Sequence, residues 1–213
     1  MRKLAIAVVV LVLFSGTAPA QLSYELNAGG GISVSNFPDQ IKDWYSTGFG
    51  GAIGGTIMFS QNLGIRVSAD YRWFSSDKDK IKSAILAEPT LQQLPGFQPA
   101  LLTIDGLNVS ILGVTLNGVG KAPLNKNVAP YVTAGVGMYS VKASDANVSY
   151  NGQAIPGGTS SVPSETKVGF NGGVGIDFTL GLLGLYLEGK YVTIRTDNST
   201  NHFPVTVGLF LNL

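Results

Sequence analysis

Hydrophobic and polar residues alternate with a period of two along most of this chain. In GFGGAIGGTIMF, Phe49, Gly51, Ile53, Gly55, Ile57 and Phe59 share one parity, and Gly48, Gly50, Ala52, Gly54, Thr56 and Met58 the other. In a strand these two sets point to opposite faces. One face is aromatic and aliphatic with gaps, and the other is small. The pattern returns in SYELNAGGGIS, where Tyr24, Leu26, Ala28 and Ile32 alternate with Glu25, Asn27 and Gly29. GIRVSADYRWF sets Ile65, Val67, Ala69, Tyr71 and Trp73 against Arg66, Ser68, Asp70 and Arg72. TKVGFNGGVGIDF sets Val168, Phe170, Val174, Ile176 and Phe178 against Lys167, Asn171, Gly173 and Asp177. LYLEGKY and FPVTVGLFLNL close the series, with Leu185, Leu187 and Tyr191 against Glu188 and Lys190, and Phe203, Val205, Val207, Leu209, Leu211 and Leu213 against Thr206, Gly208 and Asn212.

Two further runs are less regular. LNVSILGVTLNG (107–118) carries apolar residues on both parities, which predicts a bulge near Ile111. APYVTAGVGMYSV (129–141) places Val132, Ala134, Val136 and Met138 on one face. The pattern therefore predicts eight strands in one sheet and no second domain. Links near 61–63, 120–128 and 180–184 are short; those near 34–45, 75–104, 142–165 and 196–202 are long. The longest contains DKDKIKSAILAE (77–88), which predicts a short helix ending before Pro89.

Short turns at one end, long loops at the other and both termini at the short end match an outer-membrane barrel. The strands have the roughly 9–11 residues needed to cross a bilayer at a tilt. In lipid every backbone N–H and C=O must pair internally, so such a sheet has to close. After Gln21 no apolar run is long enough for a membrane helix. The aromatics are expected in two belts: Tyr24, Phe59 and Phe178 near the lower interface, and Tyr71, Trp73, Phe170, Tyr191 and Phe203 near the upper.

Charge changes the picture more than hydrophobicity does. The face opposite the aromatics holds Glu25, Asp70, Asp177 and Glu188 together with Arg66, Arg72, Lys167 and Lys190. A soluble barrel would turn these residues to water. A membrane barrel turns them into a lumen that eight strands leave just wide enough for side chains to fill. The eight charges are expected to pair across the lumen and plug it, with inward glycines leaving room for the long Arg and Lys side chains. The bland alternative leaves some of them at strand ends in water.

The N-terminus has a basic start (Arg2, Lys3), an apolar core from Leu4 to Phe14 and an Ala18-Pro19-Ala20 site. It reads as a secretory signal peptide over 1–20, with the barrel domain over 21–213. Removing it leaves 12 basic against 13 acidic residues with no basic cluster, which argues against nucleic-acid partners and against anionic-lipid targeting. Cysteine is absent, so there are no disulfides, thiolate metal sites or cysteine nucleophiles.

APYVTAGVGMY (129–139) resembles the Pro-Tyr-Val-Gly-Ala-Gly-Val-Gly-Tyr strand of small outer-membrane β-barrels of the OmpA/OmpX/OmpW-like superfamily, with Thr133 replacing the commoner glycine. LEGKY (187–191) resembles their penultimate strand. The family's last strand usually ends in Phe, an insertion signal for the barrel-assembly machinery, where this chain has Leu213. The resemblance implies a bacterial outer-membrane location, with membrane lipid as the surroundings and the assembly machinery as a partner during insertion. It carries over no functional residues.

Chemical motifs are few. GxGxxG fails at Ile53, no GxxxxGK[ST] occurs, and the Gly50…Gly54 GxxxG lies in an alternating segment rather than an apolar helix. The single histidine, His202, lies near Asp197, Ser199 and Thr200, which supplies the residue types of a nucleophile–histidine–acid set. Its position between strands reads instead as a solvated loop residue. Three Asn-x-Ser/Thr sequons (Asn108, Asn147, Asn198) carry little meaning in a bacterial host. No cofactor motif and no Asp-x-Asp-x-Asp-Gly calcium loop is present.

The expectation is a monomeric, non-enzymatic eight-stranded antiparallel up-and-down transmembrane barrel. Its role would be structural or surface-interacting, through extracellular loops 75–104 and 142–165 that meet a ligand or another surface. Two alternatives stay open: a narrow pore for small or apolar solutes, and a soluble secreted lipocalin-like binding barrel.

Overall fold

The computed structural model describes residues 22–36, 44–45, 47–87, 98–160, 164–195 and 200–213. The signal-peptide expectation over 1–20 and the helix stop at Pro89 lie outside them. Eight long strands form the wall: β1 (Ser23–Asn36), β2 (Gly48–Met58), β3 (Leu63–Phe74), β5 (Val109–Lys121), β6 (Val128–Ala143), β9 (Glu165–Leu180), β10 (Leu183–Ile194) and β11 (Thr200–Asn212). They close into a barrel in the order β1-β11-β10-β9-β6-β5-β3-β2, each pair antiparallel.

The register fixes the tilt. Starting at Leu26, the pairs Leu26–Gly55, Gly55–Val67, Val67–Leu116, Leu116–Val136, Val136–Phe170, Phe170–Thr193, Thr193–Asn201 and Asn201–Asn36 circle the barrel. The circuit returns to β1 ten residues higher, at Asn36. With a rise of about 3.3 Å per residue and strands about 4.8 Å apart, that stagger tilts the strands about 40° and gives a backbone radius of about 8 Å.

The tilted lattice also sets the heights of the aromatics. Tyr24, Phe59 and Phe178 share one level, and Tyr71, Trp73, Phe170, Tyr191 and Phe203 lie about 20 Å higher, the span expected of an apolar band. All face outward, Trp73 half-buried against Phe49 at 5.5 Å between ring centroids. Between the belts the outward positions are aliphatic: Ile53 is 63% exposed, Val67 53% and Val174 65%. Water would strongly oppose this surface and lipid favours it, so the soluble lipocalin-like alternative fails.

Two expectations change. β5 has no bulge: its pairing with β3 and with β6 runs without a shift through Ile111. Apolar residues occupy both parities there because Leu112 and Leu116 meet lipid while Val109 and Ile111 meet an apolar layer inside the barrel. The long loops also carry structure of their own. The expected helix is α1 (Lys78–Leu86), with the Asp77 carboxylate accepting the Lys80 N–H at 3.1 Å as its N-cap. A 3-10 turn (Pro99–Leu101) leads into β4 (Leu102–Asp105), which pairs with β7 (Ala146–Tyr150), and β7 pairs with β8 (Gln153–Ser160). This three-stranded sheet joins the two longest loops.

Candidate functional site

The interior is layered. Nearest the short turns, Lys121 Nζ lies 2.6 Å from Glu25 Oε1 and 2.7 Å from Asp177 Oδ2, joining three strands. Its ammonium also lies 5.6 Å from the centre of the Phe210 ring. One layer higher, Glu188 bridges Arg66 at 2.7 Å and Lys190 at 2.8 Å. Arg66 also donates to Thr56 Oγ1 at 3.1 Å and stands 5.2 Å from the Tyr131 ring centre. Higher still, Arg72 donates to Thr206 Oγ1 at 2.9 Å, while its Nε and Nη1 have no partner among the described residues. These atoms and Asp70 border a cavity of about 20 Å³, room for roughly one water.

Seven of the eight charges predicted for the lumen thus lie inside the barrel: Glu25, Arg66, Asp70, Arg72, Asp177, Glu188 and Lys190. Lys167 does not join them. It sits at the long-loop end of β9, half-exposed, 3.3 Å from Glu165. Lys121, absent from the predicted set, holds the lowest cluster together. Ending the strand at 118 placed it in a turn, yet it shares its parity with the inward Asn117 and Val119.

The inward glycines mostly serve aromatic rings rather than Arg and Lys. A Cβ on Gly175 would fall 2.3 Å from Tyr131, on Gly184 2.2 Å from Phe210, and on Gly208 2.4 Å from Tyr186. Gly113, Gly137 and Gly169 surround Tyr139, each within about 3 Å of its ring carbons, and Gly48 meets Phe74 at 2.6 Å. Gly173, beside Lys190, is an exception.

Above the charges the lumen turns apolar. Phe74, Val109, Ile111, Tyr139, Val192 and Ile194 form one buried cluster, with Tyr45, Val141 and Ala143 packed against it. His202 belongs to this level. It is not a solvated loop residue: it lies in β11, fully buried, edge-on to Phe74 at 6.1 Å, with neither ring nitrogen hydrogen-bonded among the described residues. Asp197 and Ser199, the acid and nucleophile suggested beside it, lie outside the described residues. No group of three or more metal-ligating side chains stands together among the described residues.

Over this layer sits a cap with its own core of Ile81, Leu102 and Ile104, joined by Trp44, Ile85, Leu86, Leu107 and Val148. Three loops meet here. Asp77 N–H donates to Trp44 O at 2.7 Å, Asn108 N–H to Ser144 Oγ at 2.9 Å, and Asn151 N–H to Leu101 O at 3.0 Å. Asn108, one of the sequon residues, accepts the Ser76 N–H at 3.0 Å through its side chain.

A family model described as outer membrane protein beta-barrel domain matches residues 6–209. Among solved structures, Ail, the attachment invasion locus protein of Yersinia pestis, is 18% identical with a TM-score of 0.50 over 90% of this chain and 98% of its own. Neisserial surface protein A is 13% identical with a TM-score of 0.50 over 89% of this chain and 96% of its own. At such identities the likeness is one of fold. No curated protein compared with the chain matches it in sequence.

Proposed function

The chain belongs to the outer membrane protein beta-barrel domain family and lies in the bacterial outer membrane; from that premise we propose that it is a non-enzymatic, monomeric barrel closed by its own side chains, whose capped loop end faces out of the cell and docks an external surface or ligand. The observation that carries this reading is the cap. Loops that only closed the chain would need no sheet and no core, whereas Leu102–Asp105, Ala146–Tyr150 and Gln153–Ser160 are paired strand to strand beside a core of Ile81, Leu102 and Ile104. Rigid scaffolds that order their loops in this way present binding surfaces. In this reading residues 1–20 are removed on export, and the last strand is engaged by the barrel-assembly machinery.

The absence of cysteine gives a clean test. Asn151→Cys, in the turn between β7 and β8, is expected to react with a membrane-impermeant maleimide on intact cells. Protection on intact cells with labelling after lysis would reverse the orientation. Planar-bilayer recording tests the lumen: steady single-channel steps would replace the closed barrel by the narrow-pore reading.

A further inference from the structure

We propose that His202 makes the cap acid-sensitive: a proton taken up by its ring loosens the apolar layer at the roots of the cap loops and frees the cap, while the barrel wall stays closed. His202 is fully buried, with its ring centre 6.1 Å from that of Phe74 in an edge-on contact. Neither ring nitrogen has a hydrogen-bond partner among the described residues. A neutral imidazole left unbonded in such a layer carries the cost of one desolvated polar group. An imidazolium there costs far more, because a buried charge needs a counter-charge or hydrogen bonds.

The surroundings supply neither. Among the described residues, the titratable groups facing this layer are Arg72 and Asp70 on β3, Tyr139 on β6, Lys167 and Glu165 on β9, Lys190 on β10 and Tyr45 of the first loop. At this height β1, β2 and β5 bring none: Ser33 and Ser35 stand on β1, Gly48 on β2 and Ile111 on β5. The register puts the Arg72 cation level with His202. The acids stand elsewhere. Asp70 lies below Arg72 on the same strand, and Glu165 lies at the rim, half-exposed and 3.3 Å from Lys167. A proton on His202 therefore adds a cation beside a cation, in a layer whose other members are apolar.

The same layer anchors the cap. Phe74 is the last residue of β3 and leads through Ser76 and Asp77 into α1. Val109 is the first residue of β5 and follows Asn108, whose side chain accepts the Ser76 N–H at 3.0 Å. Ala143 ends β6 just before Ser144, whose hydroxyl accepts the Asn108 N–H at 2.9 Å. Tyr45, packed on the layer, bridges Ser76. Opening the layer around Phe74 thus moves the strand ends from which the cap loops spring. The wall has its own support, since β11 pairs with β1 from Asn201–Asn36 down to Asn212–Glu25. Acid is expected to open the layer locally and leave the barrel folded. The inference requires only the fold, and stands whether or not the cap docks anything.

The test uses the full mature chain in lipid vesicles. The chain has two tryptophans, Trp44 packed in the cap and Trp73 on the outer wall. Trp73→Phe leaves Trp44 as the reporter, read by quenching with acrylamide, which carries no charge. Between about pH 7 and about pH 4, the range over which a histidine charges, quenching should rise about twofold and return on neutralisation. In the same background His202→Phe and His202→Gln, both uncharged throughout, should each abolish the rise. His202→Arg should show the higher quenching already at neutral pH. Heat-modifiable gel migration should remain that of the folded barrel at both pH values. A rise that persists in His202→Gln would assign it to cap carboxylates such as Asp77 and Asp105 and overturn the proposal. So would the lack of any rise with His202 present, or loss of the folded barrel in acid.

Discussion

Toward the short turns, inward positions carry Glu25, Lys121, Asp177, Arg66 and Glu188; toward the long loops, inward positions of the same sheet carry Phe74, Ile111, Tyr139 and Ile194. Both regions are buried and both are walled by glycine-rich strands, yet one combines ion pairs with packed rings and the other rests on packing. Toward the short turns the ion pairs stand among buried rings, Tyr131 beside Arg66 and Phe210 beside Lys121. At the other end Tyr45, Val141 and Ala143 roof the apolar cluster, and the cap with its own core stands over them. The long-loop half therefore has the inside of a soluble protein within the outside of a membrane protein. The short-turn half is apolar outside and sets ion pairs among buried rings inside.

The sharpest way to break this comparison is to remove the cation shared by two acids. Lys121→Met leaves Glu25 and Asp177 buried without a counter-charge, and losing one partner of a buried pair costs about 3–5 kcal/mol. Urea unfolding in lipid vesicles should show that loss. Adding Glu25→Gln and Asp177→Asn to the same chain should restore most of it, because the cost is that of unpaired charge. The matching change in the apolar half is Phe74→Ala. It removes a fully buried ring and should cost about 3 kcal/mol through lost burial and a residual cavity. No charge substitution should rescue it. If Lys121→Met cost less than about 1 kcal/mol by the same measurement, the ion pairs would not be what holds the lower half.

The wall was legible in the sequence and the filling only partly so. Period-two alternation is a local property, and it located all eight strands and the outward face of every one but β5, because lipid and lumen impose opposite chemistry on successive residues. What lies inside depends on partners far along the chain. Lys121 meets Glu25 across 96 positions, and Arg66 meets Glu188 across 122, so no window of sequence shows either pair. Ile111 was misread for a related reason. An apolar residue on the inward parity looks like a slip of register unless the lumen itself turns apolar at that height. The β4–β7 pairing was missed because LTID is a short strand set in a long loop, with its partner more than forty residues away.

Inward and outward glycines sharpen the comparison at intermediate cost. Gly169→Ala would place a methyl 2.7 Å from Thr193 O and 2.8 Å from two carbons of the Tyr139 ring, and overpacking of this kind costs about 1–3 kcal/mol. Three positions along the same strand, Gly172 faces lipid, and a Cβ there meets nothing closer than Thr133 O at 3.8 Å. Gly172→Ala should change stability by less than about 0.5 kcal/mol. Tyr139→Leu should remove only the ring's share of the penalty of Gly169→Ala, the contact with Thr193 O remaining, and none of any effect at Gly172, which a double-mutant cycle would read directly.

The smallest expected effect tests burial against distance. Lys78 Nζ lies 2.5 Å from Asp105 Oδ1 in the cap, as close as Lys121 lies to Glu25 in the lumen, at 2.6 Å. The cap pair is more than half exposed, with side chains 55% and 59% accessible, against 8% and 11% for the lumen pair. Water and salt screen the first and not the second, so Lys78→Met should cost no more than about 0.5 kcal/mol. The cap does not depend on that pair, since α1 rests on β4 through Ile81, Leu102 and Ile104 and is tied to the first loop by the Asp77–Trp44 backbone bond. Equal losses for Lys78→Met and Lys121→Met would mean that contact distance, not burial, sets the strength of ion pairs in this barrel.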